Sequence, residues 1–291
     1  MWKQYSLTVE KKVAEHTMTF FESLGACAIT FQDAKDDPIF EPKDALPIWE
    51  TTRVMALFDA TMDQDAIHKE IWQHFDEVAL STLHVEKIED EDWQQRCQSH
   101  FKPMSFGGET LWVYPSWERP AQPQEPYVEL DPGLCFGTGS HATTRLCLEW
   151  LAQHIKEQAL VIDYGCGSGI LGIAALKLGA RLVHAVDNDP QALQSTTENA
   201  NKNHIAHSNL VCFLPEALPD KKADVVIANI LYEPLLLLKD VLLSHVRPGG
   251  FLVLSGLLKE QRQNIIDHYQ ASCHHIDSNA HEDWCLVTFQ V

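Results

Sequence analysis

From residue 127 onward, short apolar segments alternate with segments of helical spacing. Fully apolar strands that alternate with helices are typical of a parallel sheet covered by helices on both faces. The pattern therefore predicts a doubly wound α/β domain. The predicted strands are 160–163, 182–187, 210–214, 224–229 and 251–255, the helices are 145–155, 170–178, 190–203, 233–244 and 259–269, and a last strand, 285–290, is expected to pair antiparallel at the edge.

The first ninety residues have a different order of elements. Their pattern of strand, helix, strand, strand, helix and strand matches the ferredoxin-like motif. This part of the chain contains no plausible catalytic cluster, so we expect it to serve in recognition. Its predicted strands are 5–9, 26–31, 53–58 and 83–88, and its predicted helices are 14–24 and 63–75.

A connecting segment separates these two patterns. Residues 90–101 are rich in acids and amides and predict a helix, and a hairpin-like strand is expected at 110–114. Four prolines between 115 and 126 are typical of a stiff, extended segment. We therefore divide the chain into a recognition domain at 1–92, a linker at 93–126 and a larger α/β domain at 127–291.

The strongest local motif is the run VIDYGCGSG at residues 161–169, where an apolar strand enters a glycine-rich turn before a helix. Glycines allow a tight turn and let a ligand approach the backbone closely. Asp163 beside Gly165 and Gly167 disfavours a pyrophosphate and favours a cationic group, such as the ammonium of a methionine moiety. Asp187 ends the next strand and is placed to accept hydrogen bonds from both hydroxyls of an adenosine ribose.

This motif leaves two cofactors open. Residues 167–172 also satisfy G-x-G-x-x-G, and Asp187 would then be the ribose-binding acid of a nicotinamide site. A lone glycine motif is weak evidence, and a turn without any ligand is the remaining interpretation. Asp163 favours the methionine-containing cofactor over the dinucleotide.

Two further segments belong to the same predicted edge of the sheet. Asn229 and Ile230 end the apolar strand 224–229, and an amide oxygen there can accept from an amino nitrogen. Taken alone, an Asn that caps the next helix is the favoured interpretation. The second segment is LDPGLCFGTGSHATT at residues 130–144, whose glycines and hydroxyls are typical of a ligand-binding loop. Its His141 is a candidate base, although a structural role or a cofactor contact is at least as well supported.

Charge and composition limit the partners. The chain carries 22 Lys and Arg against 41 Asp and Glu, and residues 1–130 account for a balance of −13. A nucleic-acid backbone is an unfavourable partner for such a surface, because neutralising phosphates requires clustered cations. Solubility alone explains the acidity best, and a basic protein partner is the alternative. No targeting or membrane-spanning segment is predicted, and eight scattered cysteines favour reduced thiols in the cytoplasm.

The glycine motif, Asn229-Ile230-Leu231 and above all the loop at 130–144 resemble the family of ribosomal protein methyltransferases that modify large-subunit ribosomal protein eleven. The resemblance extends over essentially the whole chain, including EDWC at 282–285, FQD at 31–33 and PSW at 115–117. It implies a Rossmann-like class I methyltransferase domain with a seven-stranded, mostly parallel sheet behind a small ferredoxin-like recognition domain. Cys135 and His184 depart from the family pattern, where smaller residues are usual.

The family implies transfer of a methyl group from S-adenosylmethionine to lysine or N-terminal amino groups of that ribosomal protein, free or on the ribosome. Residue by residue, the cofactor contacts fall on Thr144, Gly165, Asp187 and Asn229, to which our own interpretation adds Asp163 and Gly167. Asn229 and the Ile230 carbonyl are the residues expected to orient the amine. No covalent nucleophile is required.

Two other functions stay open from the sequence. One is a nicotinamide-dependent oxidoreductase, which a different stabilising cofactor would reveal. The other is a non-catalytic ribosome-binding factor that keeps the fold as a scaffold and incorporates no methyl groups. A metal centre is not expected, because the spacing of the C-terminal cysteines and histidines fits no usual zinc pattern. That group comprises Cys273, His274, His275, His281 and Cys285.

Overall fold

The computed structural model describes residues 2–35, 48–88, 102–131 and 141–291. The chain forms two compact units, Met1–Cys97 and Gln98–Val291. The part of the predicted linker from residue 98 to residue 126 groups with the larger unit, on which we expected the linker to pack. The predicted helix at 90–101 and most of the loop at 130–144, with Cys135, lie outside the described residues.

The smaller unit is built on a four-stranded antiparallel sheet in the order β2-β3-β1-β4. This is the ferredoxin-like arrangement that the sequence predicts, with one additional short helix. Its elements are β1 (Trp2–Glu10), α1 (Lys11–Ser23), β2 (Ala28–Asp33), β3 (Thr51–Asp59), α2 (Gln64–His74), α3 (Glu77–Leu80) and β4 (His84–Ile88).

Alternation along β1 and β3 builds the core of the smaller unit. Tyr5 and Leu7 of β1 are buried together with Val54, Ala56 and Phe58 of β3, because every second residue of a strand faces the same side. Asp63, the residue before α2, caps this helix, because its carboxylate accepts from two backbone amides at 3.2 and 3.1 Å. The helices cover this one face of the sheet.

The larger unit contains a seven-stranded sheet in the order β10-β9-β8-β11-β12-β14-β13 and a small sheet in the order β5-β6-β7. The strands are β5 (Met104–Phe106), β6 (Leu111–Tyr114), β7 (Tyr127–Glu129), β8 (Leu160–Tyr164), β9 (Leu182–Val186), β10 (Leu210–Phe213), β11 (Ala223–Asn229), β12 (Val246–Leu258), β13 (His274–His281) and β14 (Trp284–Gln290). The helices are α4 (Ala142–His154), α5 (Ile170–Lys177), α6 (Pro190–Lys202), α7 (Tyr232–Leu237), α8 (Lys239–Ser244) and α9 (Arg262–Tyr269).

Both faces of the large sheet are covered, as the doubly wound prediction requires. Val161 of β8 joins the cluster beneath α4, α5 and α6, whereas Leu160 and Ile162 join the cluster beneath α7, α8 and α9. All five residues of β8 are buried. The parallel strands β10, β9, β8, β11 and β12 therefore bring their carboxyl ends to one edge of the sheet.

The predicted edge strand of the large sheet was wrong. We expected the last strand to occupy the edge, but β14 lies between β12 and β13 and pairs antiparallel with both. Strand β13 was missed because it is rich in histidine and polar residues, and all but one of its side chains are exposed. An exposed edge strand has no apolar alternation by which to recognise it.

Other differences are local. The predicted helix at 233–244 is two short helices, α7 and α8, that meet at Leu238. The proline-rich segment contains a 3-10 turn, Ser116–Glu118, rather than a continuously extended chain. Within the described ranges, no helix is long and apolar enough to span a bilayer.

Candidate active site

The glycine loop turns sharply between β8 and α5. Gly165, Gly167 and Gly169 have φ of 77°, 52° and 79°, a region that favours glycine. The amides of Gly165 and Cys166 both donate to the Val186 carbonyl, at 2.7 and 3.0 Å. The loop is therefore held against the end of β9, where the second predicted cofactor residue lies.

Close packing fixes Ile230 beside this loop. A Cβ atom at Gly165 would overlap the Ile230 side chain, and a Cβ atom at Gly256 would overlap the Ile230 backbone. Ile230 thus fits between two backbone turns that only glycine allows at this distance. The carboxyl ends of β8 and β11 consequently meet, which brings the glycine loop next to Asn229 and Ile230 as the sequence predicted.

Asp163 is completely buried at the end of β8. Its Oδ2 accepts from the Gly172 amide at 2.9 Å, whereas its Oδ1 is buried without a hydrogen-bond partner among the described residues. Burial raises the pKa of Asp163 to about 7; the Gly172 hydrogen bond opposes this increase, and the negative charge of Asp187 adds to it. A donor or a positive charge near the loop would favour the ionised form of this carboxyl group.

Asp187 lies directly after β9 and is partly exposed. Its Oδ2 accepts from the Gly167 amide at 3.0 Å, and its Oδ1 accepts from the Asp189 amide at 3.0 Å. These two backbone donors orient the carboxylate and leave further lone pairs on both oxygens. A vicinal diol can use those lone pairs, which fits the predicted contact with a ribose.

Asn229 ends β11 and touches the start of α4. Its Nδ2 donates to Thr144 Oγ1 at 3.3 Å, so that two predicted cofactor residues, 85 positions apart in sequence, are in contact. Thr144 is buried, whereas Asn229 is partly exposed. With Nδ2 turned to Thr144, the amide oxygen is the group that Asn229 offers to an amine.

His141 has a structural role in this geometry. It caps α4, with Nδ1 at 3.4 Å from the Thr143 amide and 2.8 Å from Thr143 Oγ1, and its ring packs edge-on against Trp284 at 5.0 Å. Burial lowers the pKa of His141, and Glu282 partly opposes that shift. The capping interaction accounts for a histidine here without a catalytic task.

Two residues that support the loop escaped the sequence analysis. Thr196 Oγ1 donates to the Gly167 carbonyl at 3.0 Å, and Asn199 Nδ2 donates to the Ser168 carbonyl at 2.9 Å. Both side chains are buried on α6. Their spacing of three residues within an otherwise amphipathic helix was the available signal, because polar residues on a buried face need partners.

Of the two residues outside the family pattern, Cys135 lies outside the described residues and His184 lies in β9. His184 of β9 is buried, packs edge-on against Phe213, and has a pKa lowered by burial and by the positive charges of Lys221 and His245.

The C-terminal cysteines, Cys273 and Cys285, are buried in the core. The three histidines near them lie on β13, and the described part of the chain holds no cluster of three metal-binding side chains.

A seven-stranded sheet of this order, with a glycine loop after β8 and an acid after β9, defines a class I methyltransferase that uses S-adenosylmethionine. The family model "Ribosomal protein L11 methyltransferase (PrmA)" matches residues 1–291, and the chain belongs to this family. The predicted fold class, enzyme class and cofactor are thereby confirmed. A nicotinamide-dependent oxidoreductase does not agree with this family.

Individual relatives agree with this assignment. The chain is 43% identical over 288 residues to the ribosomal protein L11 methyltransferase of Pseudoalteromonas atlantica, with 99% of this chain and 98% of the relative covered. It is 44% identical over 287 residues to that of Nitrosococcus oceani, with 98% of each covered. The crystal structure of the L11 methylase from Lactobacillus delbrueckii subsp. bulgaricus, 32% identical, superposes with a TM-score of 0.58 and covers 65% of this chain and 98% of its own.

Proposed function

We propose that this chain methylates lysine or N-terminal amino groups of large-subunit ribosomal protein eleven (L11), in the cytoplasm and without direct contact to nucleic acid or membrane. The observation that carries the proposal is the contact between Asn229 and Thr144 beside the glycine loop. It sets an amide acceptor at the edge of the sheet where the family's cofactor binds. The names of the relatives supply the identity of the substrate.

In this proposal, five residues hold S-adenosylmethionine. Asp187 accepts from the ribose hydroxyls, as its two oriented oxygens allow. Gly165 and Gly167 let the cofactor approach the backbone, and Thr144 closes the site from α4. Asp163 lies beneath the loop as an acceptor for the ammonium end of the cofactor, where its unpaired Oδ1 gains a compensating positive charge.

The cofactor supplies an electrophilic methyl group, and the chain orients and desolvates the amine that attacks it. A lysine amine has an unperturbed pKa of about 10.4, so its reactive neutral form is scarce at neutral pH. Removal from water next to a positive charge lowers the pKa of the amine. The amine gives up its first proton to solvent as it is desolvated. Asn229 Oδ1 and the Ile230 carbonyl then accept from the N–H groups of the neutral amine and align its lone pair, and the extra proton of the methylated amine leaves to solvent afterwards.

The smaller unit has the recognition role in this proposal. It contributes no residue to the site described above, and the acidity of the chain is concentrated before residue 130. An acidic surface steers a basic protein toward the enzyme over distances of about the Debye length. Recognition and chemistry are thus assigned to different units.

The direct experiment mixes the purified chain with unmodified L11 and radiolabelled S-adenosylmethionine. We expect label in L11, and a loss of about a hundredfold in kcat for Asn229→Ala, since an orienting acceptor of this type contributes roughly two powers of ten. The control is Asn201→Ala, an exposed amide on α6. Absence of label with the wild-type chain would leave the non-catalytic ribosome-binding factor as the better hypothesis.

A further inference from the structure

Strand β12 is irregular at the edge of the sheet that carries the proposed site. Its register against β14 shifts there, so that Ser255 and Gly256 together lie opposite Leu286. This arrangement is a β-bulge, which re-aims the side chains beside it. Gly256, at a φ of 87°, makes room for the Ile230 backbone, as described above. Ser255, the other residue of the bulge, is directed toward different partners.

The Ser255 side chain joins three elements of the larger unit. It is completely buried, and its Oγ donates at 3.3 Å to the Thr143 carbonyl and at 3.3 Å to the Cys285 carbonyl. A hydroxyl carries one proton, so the two carbonyls share it. Ser255 thereby connects β12 both to β14 and to the first turn of α4.

The strand next to β12 contacts the same turn of α4. Asn229 of β11 lies opposite Ser255 in the parallel pairing of the two strands. Its Nδ2 donates to Thr144 Oγ1 at 3.3 Å. Two residues that are opposite in the sheet therefore bond to Thr143 and Thr144, which are consecutive in the helix. The position of Thr144 relative to Asn229 is thus coupled to the bond between Ser255 and Thr143.

This coupling concerns the side chain that receives the amine in the proposed function. An orienting acceptor contributes to the rate only while its own geometry is held, and a displacement of about 1 Å can cost a hundredfold. Asn229 ends its strand and is partly exposed, so its carboxamide is not enclosed by packing on all sides. The hydrogen bond to Thr144 fixes it, provided that the first turn of α4 stays in place.

We propose that Ser255 is a positioning residue for methyl transfer, which fixes the first turn of α4 so that Thr144 holds the Asn229 carboxamide. This inference rests on the proposed role of Asn229. Ser255 is buried and does not touch the amine. It acts through Thr144 and Asn229, and its removal slows the reaction because the carboxamide is held less firmly.

The test is single-turnover methylation of unmodified L11 by the full chain at saturating S-adenosylmethionine, which reports the chemical step. We expect Ser255→Ala to slow this step roughly threefold to tenfold, the range for one neutral hydrogen bond. The matched control is Ile265→Val, a completely buried substitution on α9, on the opposite face of the sheet from α4. It should lower the Tm by a similar amount and leave the rate unchanged.

A double variant separates positioning from a general loss of stability. If Ser255 acts through Asn229, Ser255→Ala should cause no further slowing in a chain that already carries Asn229→Ala, because the side chain to be held is gone. A purely structural role predicts the same fold loss with and without Asn229. Tm values of all four chains show how far each variant is destabilised.

Three results would overturn this inference and leave the proposed function standing. They are a wild-type rate for Ser255→Ala, an equal loss of rate in Ile265→Val, and the same fold loss on adding Ser255→Ala to Asn229→Ala. A wild-type rate for Asn229→Ala alone would instead contradict the proposed role of Asn229, and the inference about Ser255 would fall with it.

Discussion

The two units of this chain differ in what they bury. In the smaller unit, the buried polar side chains among the described residues are three hydroxyls, on Ser6, Thr17 and Thr52. The larger unit buries a carboxylate, Asp163, together with carboxamides and an imidazole. Hydroxyls are easily satisfied by nearby carbonyls, as Thr17 is by Val13 at 2.9 Å.

Burying a carboxylate or a carboxamide is far more costly. Where one unit buries several such groups, they must serve a purpose that apolar packing cannot, such as fixing backbone segments in place. In the larger unit, Asp163 lies at the end of β8 beside the glycine loop and Asn199 donates to that loop, whereas Asn203 bonds to Glu129 of β7 and His184 lies within β9. Buried polar groups thus mark the unit that carries the proposed chemistry, whereas no charged side chain is buried among the described residues of the smaller unit.

The largest expected effect comes from filling the space at the glycine loop. Gly165→Val places a side chain where Ile230 already lies, at a φ of 77° that disfavours branched residues. We expect cofactor affinity to fall about a hundredfold or more, since overpacking costs up to about 3 kcal/mol. Calorimetry with S-adenosylmethionine measures this loss.

Gly108→Val is the matched control for that substitution. Gly108 also has a positive φ, 64°, but a Cβ atom there meets nothing within 4 Å. It reproduces the backbone strain without the overlap, and cofactor affinity should stay near the wild-type value. Equal losses in both variants would show that strain, and not the position of Ile230, sets the affinity.

The next effect concerns the proposed ribose contact. Asp187→Ala should weaken S-adenosylmethionine roughly tenfold to a hundredfold, the range for hydrogen bonds to a charged group. Asp187→Asn keeps an acceptor for the Gly167 amide and should lose less. Asp189→Ala removes the cap of α6, which costs about 1 kcal/mol of stability, and should leave the affinity intact. An affinity that follows the Tm across these three variants would contradict the assignment.

A smaller effect is expected from salt, which should weaken methylation of L11 but not cofactor binding. Raising the ionic strength from about 0.1 to about 1 M shortens the Debye length from about 10 to about 3 Å. We expect kcat/KM for L11 to fall several-fold over this range, because the acidic surface no longer attracts a basic substrate. The Kd of S-adenosylmethionine should barely change. Methylation rates that are insensitive to salt would remove the steering role from the acidic surface.

The smallest effect is a pH dependence of stability. The pKa of buried His184 is lowered in the folded chain, so below a pH of about 6.5 the unfolded state binds more protons at this position. Stability should therefore fall as the pH drops through that value toward the folded pKa. His184→Val should make the loss shallower in denaturant titrations between about pH 7 and 5, whereas the exposed His207→Ala should not. Parallel pH profiles for all three chains would refute this origin.

Much of this architecture could be predicted because apolar periodicity reports burial. The strands before Asp187 and Asn229 were placed within a residue, since both are short and apolar. Strand β13 could not be found, because an exposed edge strand has no buried face to pattern its sequence. The hydrogen bonds between Asn203 and Glu129 were also beyond prediction, since they join residues 74 positions apart through a side chain.

The division of roles between the units is tested most directly by comparing the fragment 98–291 with the full chain in two measurements, cofactor binding and methylation of L11. The account predicts that the fragment binds S-adenosylmethionine within about twofold of the full chain, because the proposed cofactor residues all lie within it. It also predicts that methylation of intact L11 is about a hundredfold slower, because the target amine loses the local concentration that docking provides. Equal methylation by the fragment and the full chain would contradict the recognition role of the smaller unit.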